Sequence, residues 1–187
     1  DTALEAGLDV ARFGGDKNAL CIRQGAKCLA QYVWGGLDTM ETVGKVRSIL
    51  TEYPPLAALR VDEIGVGAGV YDRLHELKYP VQAVNVGTAS SDNEQWPNLR
   101  CELWWELRER FREGSIAGPF NETTQGQLAS IRYKYDSRHT KPVIESKDDA
   151  KKRGVSSPDE AEAVLLAYGR ASRALPFGWK GENEEEW

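Results

Sequence analysis

Residues 7–20 read GLDVARFGGDKNAL. An apolar, β-prone run carries a carboxylate, Asp9, in its middle; the chain then turns on Gly14-Gly15, adds a second acid, Asp16, and enters the apolar run NALCIRQ. Strands tolerate Asp poorly, and a buried carboxylate needs a partner. A chain that places Asp9 in its first strand therefore requires either a partner from elsewhere in the sequence or a cation.

Working outward from this stretch, the turns GGDK and QGAK separate ALEAGLDVARF, NALCIRQ and KCLAQYVW, which predicts a three-strand antiparallel meander. LDTMETVGKVRSILTEY follows, with Met40, Val43, Val46, Ile49 and Leu50 at helical spacing and Asp38 placed to cap. LAALRVDEIG suits a buried parallel strand, GAGVYDRLHELKY a helix and PVQAVNVG a further strand. This order predicts a mixed α/β sheet with the first strand near its centre. NLRCELWWELRERFREG is patterned as a helix with Leu99, Leu103, Leu107 and Phe111 on its buried face, leaving one of Trp104 and Trp105 exposed. SIRYKYD and KPVIESK flank a turn as a late hairpin. SPDEAEAVLLAYGRAS closes as a helix, with Ser157 as cap and Pro158 in the first turn.

The 187 residues, 41% of them hydrophobic, suit one core, and we expect one domain over 1–175 with a flexible acidic tail over 176–187. Cys21, Cys28 and Cys101 form no CxxC pattern, which argues against a disulfide framework or a thiolate zinc site and points to a reducing compartment. No apolar run reaches the length of a membrane span. The net charge of −5 is unusual for a nucleic-acid binder, but residues 132–153 carry eight basic against four acidic side chains.

Asp62 repeats the anomaly of Asp9: an acid at the end of an apolar strand, directly before EIGVGAG. Asp159 and Glu162, three residues apart, share one face of the last helix. In open α/β sheets functional groups gather outside strand ends where the topology reverses. If the strands of Asp9 and Asp62 are neighbours, their carboxylates repel unless a divalent cation neutralises them, and an all-oxygen set suits Mg²⁺ or Mn²⁺ rather than Zn²⁺. Asp16 shapes its turn and could approach from the next strand, while Glu63 points away from Asp62 by strand alternation. The glycines of GVGAG have GxGxG rather than GxGxxG spacing and are read as a tight turn; there is no GxxxxGK[ST].

GLDVARFGGDKNAL, VDEIGVGAGVYDRL, NLRCELWWELRERFREGSI and IESKDDAKKRGVSSPDEAEAVLLA, in this order and over most of the chain, resemble the nuclease domain of tailed-bacteriophage large terminase subunits. The resemblance implies an RNase H-like, RuvC-type fold: a central mixed sheet of five or more strands flanked by helices, with an extra late hairpin. It implies two-metal cleavage of concatemeric double-stranded viral DNA during packaging, with Asp9, Asp62 and Asp159 as catalytic metal ligands. Glu162 stands where the family often has Asp and is a fourth candidate ligand. Asp9 would bridge two Mg²⁺ or Mn²⁺ ions about 4 Å apart. A preceding ATPase motor domain, the small terminase subunit and the portal protein are the implied partners, and the host cytoplasm the implied location. Arg138, His139, Lys141, Lys147, Lys151, Lys152 and Arg153 are the candidate contacts to DNA phosphates. A junction resolvase and a non-catalytic docking module on the same fold remain alternatives.

Overall fold

A computed structural model of the chain describes residues 2–11 and 17–170. The strands are β1 (Leu4–Asp9), β2 (Asn18–Gln24), β3 (Lys27–Trp34), β4 (Ala58–Asp62), β5 (Val81–Val84), β6 (Tyr133–Tyr135) and β7 (Pro142–Ile144). The helices are α1 (Thr39–Leu50), α2 (Gly67–Glu76), α3 (Leu99–Arg112), α4 (Glu122–Ser130), α5 (Lys147–Lys152) and α6 (Asp159–Tyr168). Five strands form one mixed sheet in the order β3-β2-β1-β4-β5, and β6 and β7 form a separate antiparallel hairpin. The expected meander, the central position of β1 and the late hairpin are all present. Asp16 and the acidic tail lie outside the described residues.

Strand alternation sorts the side chains of β1 onto two faces. Leu4, Ala6 and Leu8 pack with Leu20, Ile22, Leu59 and Val61 beneath α1 and α2. Glu5, Gly7 and Asp9 are the alternate set, on the face that α6 covers. All ten residues of α6 are buried, and the helix packs against β1, β2 and β4. Gly7 makes this close approach possible, because a Cβ there would collide with the α6 backbone at Ala163 and Ala167.

The other end of α6 is held by charge. Arg23 Nε donates to Ala167 O at 2.5 Å and Arg60 Nη1 to the same oxygen at 3.2 Å, while both guanidiniums pair with Glu5 at 2.6 and 2.7 Å. Two cations thus satisfy a terminal helix carbonyl and oppose the negative end of the helix dipole. The triad is partly buried, and Glu5 pairs with both guanidiniums, so it orients α6 over the sheet, although Arg60 Nε stays buried without a partner among the described residues.

Three local expectations need correction. Ser157 is not the α6 cap: Pro158 occupies the N-cap position, where it has no side-chain hydrogen-bonding group, and the Ala161 amide is instead satisfied from outside the helix by Gln127 Oε1 at 3.0 Å. Phe111, at helical spacing from Leu107, is 39% exposed, because α3 outruns the core at its last turn. The segment KPVIESK leaves strand geometry after Ile144, and Lys147 begins α5, capped by Ser146 accepting from the Asp149 amide. Among the described residues no helix is long and apolar enough to cross a membrane.

Candidate active site

β1 runs parallel to β4 with Leu8 opposite Val61, so the next residues, Asp9 and Asp62, emerge at the same sheet edge. β4 then has to leave that edge abruptly. Asp62 Oδ1 accepts from the Ile64 amide at 3.0 Å, Gly65 adopts a left-handed φ of 77°, and a Cβ on Gly67 would collide with the Asp62 carbonyl. The glycines of GVGAG therefore serve the turn and the close start of α2, as their spacing suggested.

The first turn of α6 delivers Asp159 and Glu162 to this edge, 8% and 7% exposed, beside Asp9 at 7%. Asp159 Oδ2 accepts from the Lys17 amide at 2.8 Å, which ties α6 to the entry of β2. Asp62 is partly exposed. The electrostatics record the crowding. Burial, and then the charges of Glu162, Asp159 and Asp62, push the Asp9 carboxyl well above its ordinary range, with the Lys147 ammonium opposing them. Asp62 is also raised, mainly by burial, although the Ile64 amide works against the shift.

Lys147 reaches into this cluster from α5. Its Nζ is 2.5 Å from Glu162 Oε2, and Arg100 Nη2 lies 3.7 Å from Glu162 Oε1. Burial disfavours the charged amine, but Glu162 and Asp9 outweigh it and hold the Lys147 pKa above its ordinary value. Among the described residues, no three His, Cys, Asp or Glu side chains are gathered closely enough to hold a metal ion. The donor set is chemically suited to a hard divalent cation, but as arranged its neutralising charge is an ammonium.

The remaining candidates for phosphate contact are spread over two elements. Arg138 and His139 are exposed at the tip of the β6–β7 hairpin, and Lys141, at the end of the same turn, donates to Asn93 O. Lys151 is exposed on α5; Lys152 pairs with Asp149 at 3.0 Å and Arg153 with Glu145 at 2.5 Å. The last two are thus partly neutralised within the protein.

A supporting layer escaped the sequence reading. Glu160, buried next to Asp159, accepts from Thr124 Oγ1 at 2.8 Å and Asn121 Nδ2 at 2.9 Å, and Thr124 Oγ1 also lies 3.1 Å from Gln31 Oε1 on β3. Together with Gln127, these residues make α4 a brace for the N-terminus of α6. The only signal in NETTQGQLAS was Asn121 as a helix cap, since the segment has no apolar periodicity.

No protein-family model matches the sequence, nor does any curated protein. Among solved structures, the nuclease domain of the large terminase subunit gp2 of bacterial virus Sf6 matches with a TM-score of 0.78 at 16% identity, covering 91% of this chain and 89% of that one. The fold is that of large-terminase nucleases. The terminase nuclease of thermophilic phage G20c with bound magnesium gives a TM-score of 0.69 at 18% identity, over 90% of this chain and 81% of that one. A K428A variant of the Sf6 terminase nuclease, solved with manganese and β-thujaplicinol, gives 0.77 at 17% identity, over 91% and 89%. The terminase-nuclease fold thus accounts for the mixed five-stranded sheet, and the sheet brings β1, β4 and α6 to one edge.

Proposed function

We propose that this chain is a divalent-metal-dependent endonuclease that cuts concatemeric double-stranded viral DNA during genome packaging. The observation that carries this reading is the delivery of Asp9, Asp62, Asp159 and Glu162 from three separate elements to one sheet edge, three of them buried and the Asp9 carboxyl pushed above its ordinary range by burial and then by its neighbours' charge. Buried carboxylates that repel one another cost stability and are retained where a cation or a reaction uses them.

Asp9, Asp62 and Asp159, with Glu162 as a fourth donor, would hold Mg²⁺ or Mn²⁺. Two such ions would supply an activated water and stabilisation of the leaving 3′-oxygen in an in-line phosphodiester hydrolysis. The protein's own groups set the stage. Asp9, on the central strand, is placed to be shared between its neighbours. The Lys17 amide holds one Asp159 oxygen, leaving the other directed by the helix. Lys147 offsets the charge of Glu162 and Asp9 and is a cation beside the acids that a DNA phosphate would engage. Arg138, His139 and Lys151 extend the basic surface beyond the acids, while Lys141, Lys152 and Arg153 reach DNA only by exchanging an internal partner. The likeness to domains of larger subunits supports a place in a packaging assembly with an ATPase motor, a small terminase subunit and a portal, working in the host cytoplasm.

A second reading has one observation in its favour. Lys147 pairs with Glu162 inside the acid cluster and supplies a counter-charge from the protein itself, which suits a nuclease fold kept for docking. Nicking and linearisation of supercoiled plasmid separate the two. Cleavage in Mn²⁺ or Mg²⁺, absent in EDTA and reduced at least about 100-fold in Asp9→Asn and Asp62→Asn, supports the nuclease. No cleavage at low salt, together with no thermal shift on adding Mn²⁺, would assign the docking role.

A further inference from the structure

Away from the acids, α3, α4 and the β6–β7 hairpin enclose an open groove of about 450 Å³, within the range of roughly 300–1,000 Å³ typical of ligand sites. Its walls are largely apolar and aromatic, with Trp104, Trp105, Phe111, Leu128, Tyr133 and Ile144 the main contributors. The Arg108 guanidinium lies over the Trp105 ring at 4.7 Å from its centroid, and Tyr133 meets Trp105 edge-on at 5.0 Å. Trp104 is 5% exposed, and its buried Nε1–H has no acceptor among the described residues. An occupant with an apolar body and a hydrogen-bond acceptor would satisfy both features.

The chain itself leads to this groove. Tyr168, Gly169 and Arg170 line a neighbouring cleft on α3, and Trp105 belongs to both clefts. Arg170 is held there by an ion pair with Glu102 of α3. The next residues, 171–187, read ASRALPFGWKGENEEEW: an apolar stretch of Leu175, Pro176, Phe177 and Trp179, then Glu182, Glu184, Glu185 and Glu186. Phe177 is seven residues beyond Arg170, a reach of roughly 23 Å in extended chain, against roughly 21 Å for the length of the 14-residue α3. Among the described residues the charged side chain lining the groove is Arg108, whose partner Glu109 is shared with Arg112, so the acidic run meets a cation and no carboxylate in the groove wall.

We propose that residues 171–187 dock in the α3–α4–hairpin groove, with Phe177 and Trp179 against its aromatic wall and the glutamates toward Arg108. Because Tyr133 and Ile144 line the groove from the hairpin, the docked segment would brace the hairpin against α3. The proposal is independent of the nuclease reading, and its test involves no DNA. In the full chain, Phe177 is replaced by the photoreactive p-benzoylphenylalanine, irradiated and mapped by mass spectrometry. Crosslinks to residues 104–111 and 125–133 of the same chain, with a yield independent of protein concentration, are expected. Crosslinks between two chains would overturn the proposal in favour of a second copy, and crosslinks elsewhere, or none, would also overturn it. As a second measurement, Phe177→Ser with Trp179→Ser is compared with the parent by hydrogen exchange: faster exchange at 125–133 is expected, and unchanged exchange overturns the proposal. Both substitutions lie outside the described core, so the fold is not at stake in either arm.

Discussion

The ammonium of Lys147 sits 2.5 Å from Glu162 Oε2, inside a cluster otherwise made of carboxylates. Lys147 comes from α5, a six-residue helix with no buried residue, while Glu162 comes from the fully buried α6. The pair therefore joins the most exposed helix of the fold to the most buried one.

Removing the ammonium leaves Glu162 and Asp9 without their main counter-charge. Lys147 is 47% exposed along its side chain, so the pair is partly screened by solvent and the cost is about 1 kcal/mol, or roughly 2–4 °C in Tm for Lys147→Ala. The same substitution clears the space for a cation. The Tm rise on adding millimolar Mn²⁺ is expected to be larger in Lys147→Ala than in the parent, and a smaller rise would show that the lysine helps rather than competes with the ion.

Asp9 gives a pH dependence of defined sign. Its folded-state pKa is raised above the ordinary 3.8, so the folded chain holds a proton that the unfolded chain has released. Below pH 3.8 both states are protonated and Asp9 costs nothing; as pH rises from there through the folded-state pKa the penalty develops, and above it the penalty is complete. In metal-free buffer, Asp9→Asn is expected to be more stable than the parent at pH 7, by about 1 kcal/mol, with the two chemical denaturation midpoints converging as pH falls toward 4. A constant gap across this range would locate the stabilisation elsewhere.

Two glycines offer opposite outcomes for one substitution. A Cβ at Gly7 collides with the α6 backbone at Ala163 and Ala167, and neither backbone can yield without moving the acids. Gly7→Ala is expected to cost at least about 3 kcal/mol or to prevent folding. Gly44 lies within α1 with nothing near its Cβ direction, and Gly44→Ala is expected to stabilise by about 0.5–1 kcal/mol through helix propensity. Urea midpoints of both variants check the pair.

The brace on α6 is testable through Gln127, whose Oε1 accepts from the Ala161 amide. Gln127→Leu leaves that amide unsatisfied and is expected to cost about 1 kcal/mol. Because Ala161 lies between Asp159 and Glu162, Mn²⁺ affinity measured by calorimetry is expected to weaken as well. Gln127→Glu keeps an acceptor at this position and should restore most of the affinity; equal loss in both variants would reduce Gln127 to a packing role.

The sequence showed the acids plainly because each broke a local rule. Asp9 and Asp62 interrupt apolar strands, and Asp159 and Glu162 repeat at helical spacing, so their types and positions exposed them without any tertiary information. The meander and the alternation of strands and helices were equally readable from turns and periodicity. What the sequence hid was whatever depends on long-range contact. Lys147 read as one more base in SKDDAKKRG, and only the folded chain, which sets the start of α5 beside the first turn of α6, turns it into the partner of Glu162. Gln127 and Thr124 belong to a polar helix of weak periodicity, and the Ser157 expectation failed because a side chain 34 residues away, rather than a local cap, satisfies the Ala161 amide.

The order of elements along the chain also sets a schedule. Asp9 is on the first strand and Asp159 and Glu162 are on the last described helix, so the cluster joins residues about as far apart as this fold allows. Such contacts form late, after the intervening loops are closed, and during synthesis they cannot form until α6 has left the ribosome. A nascent chain thus carries Asp9 and Asp62 long before it carries a site, and whatever chemistry the four acids perform is withheld from every incomplete copy of the protein.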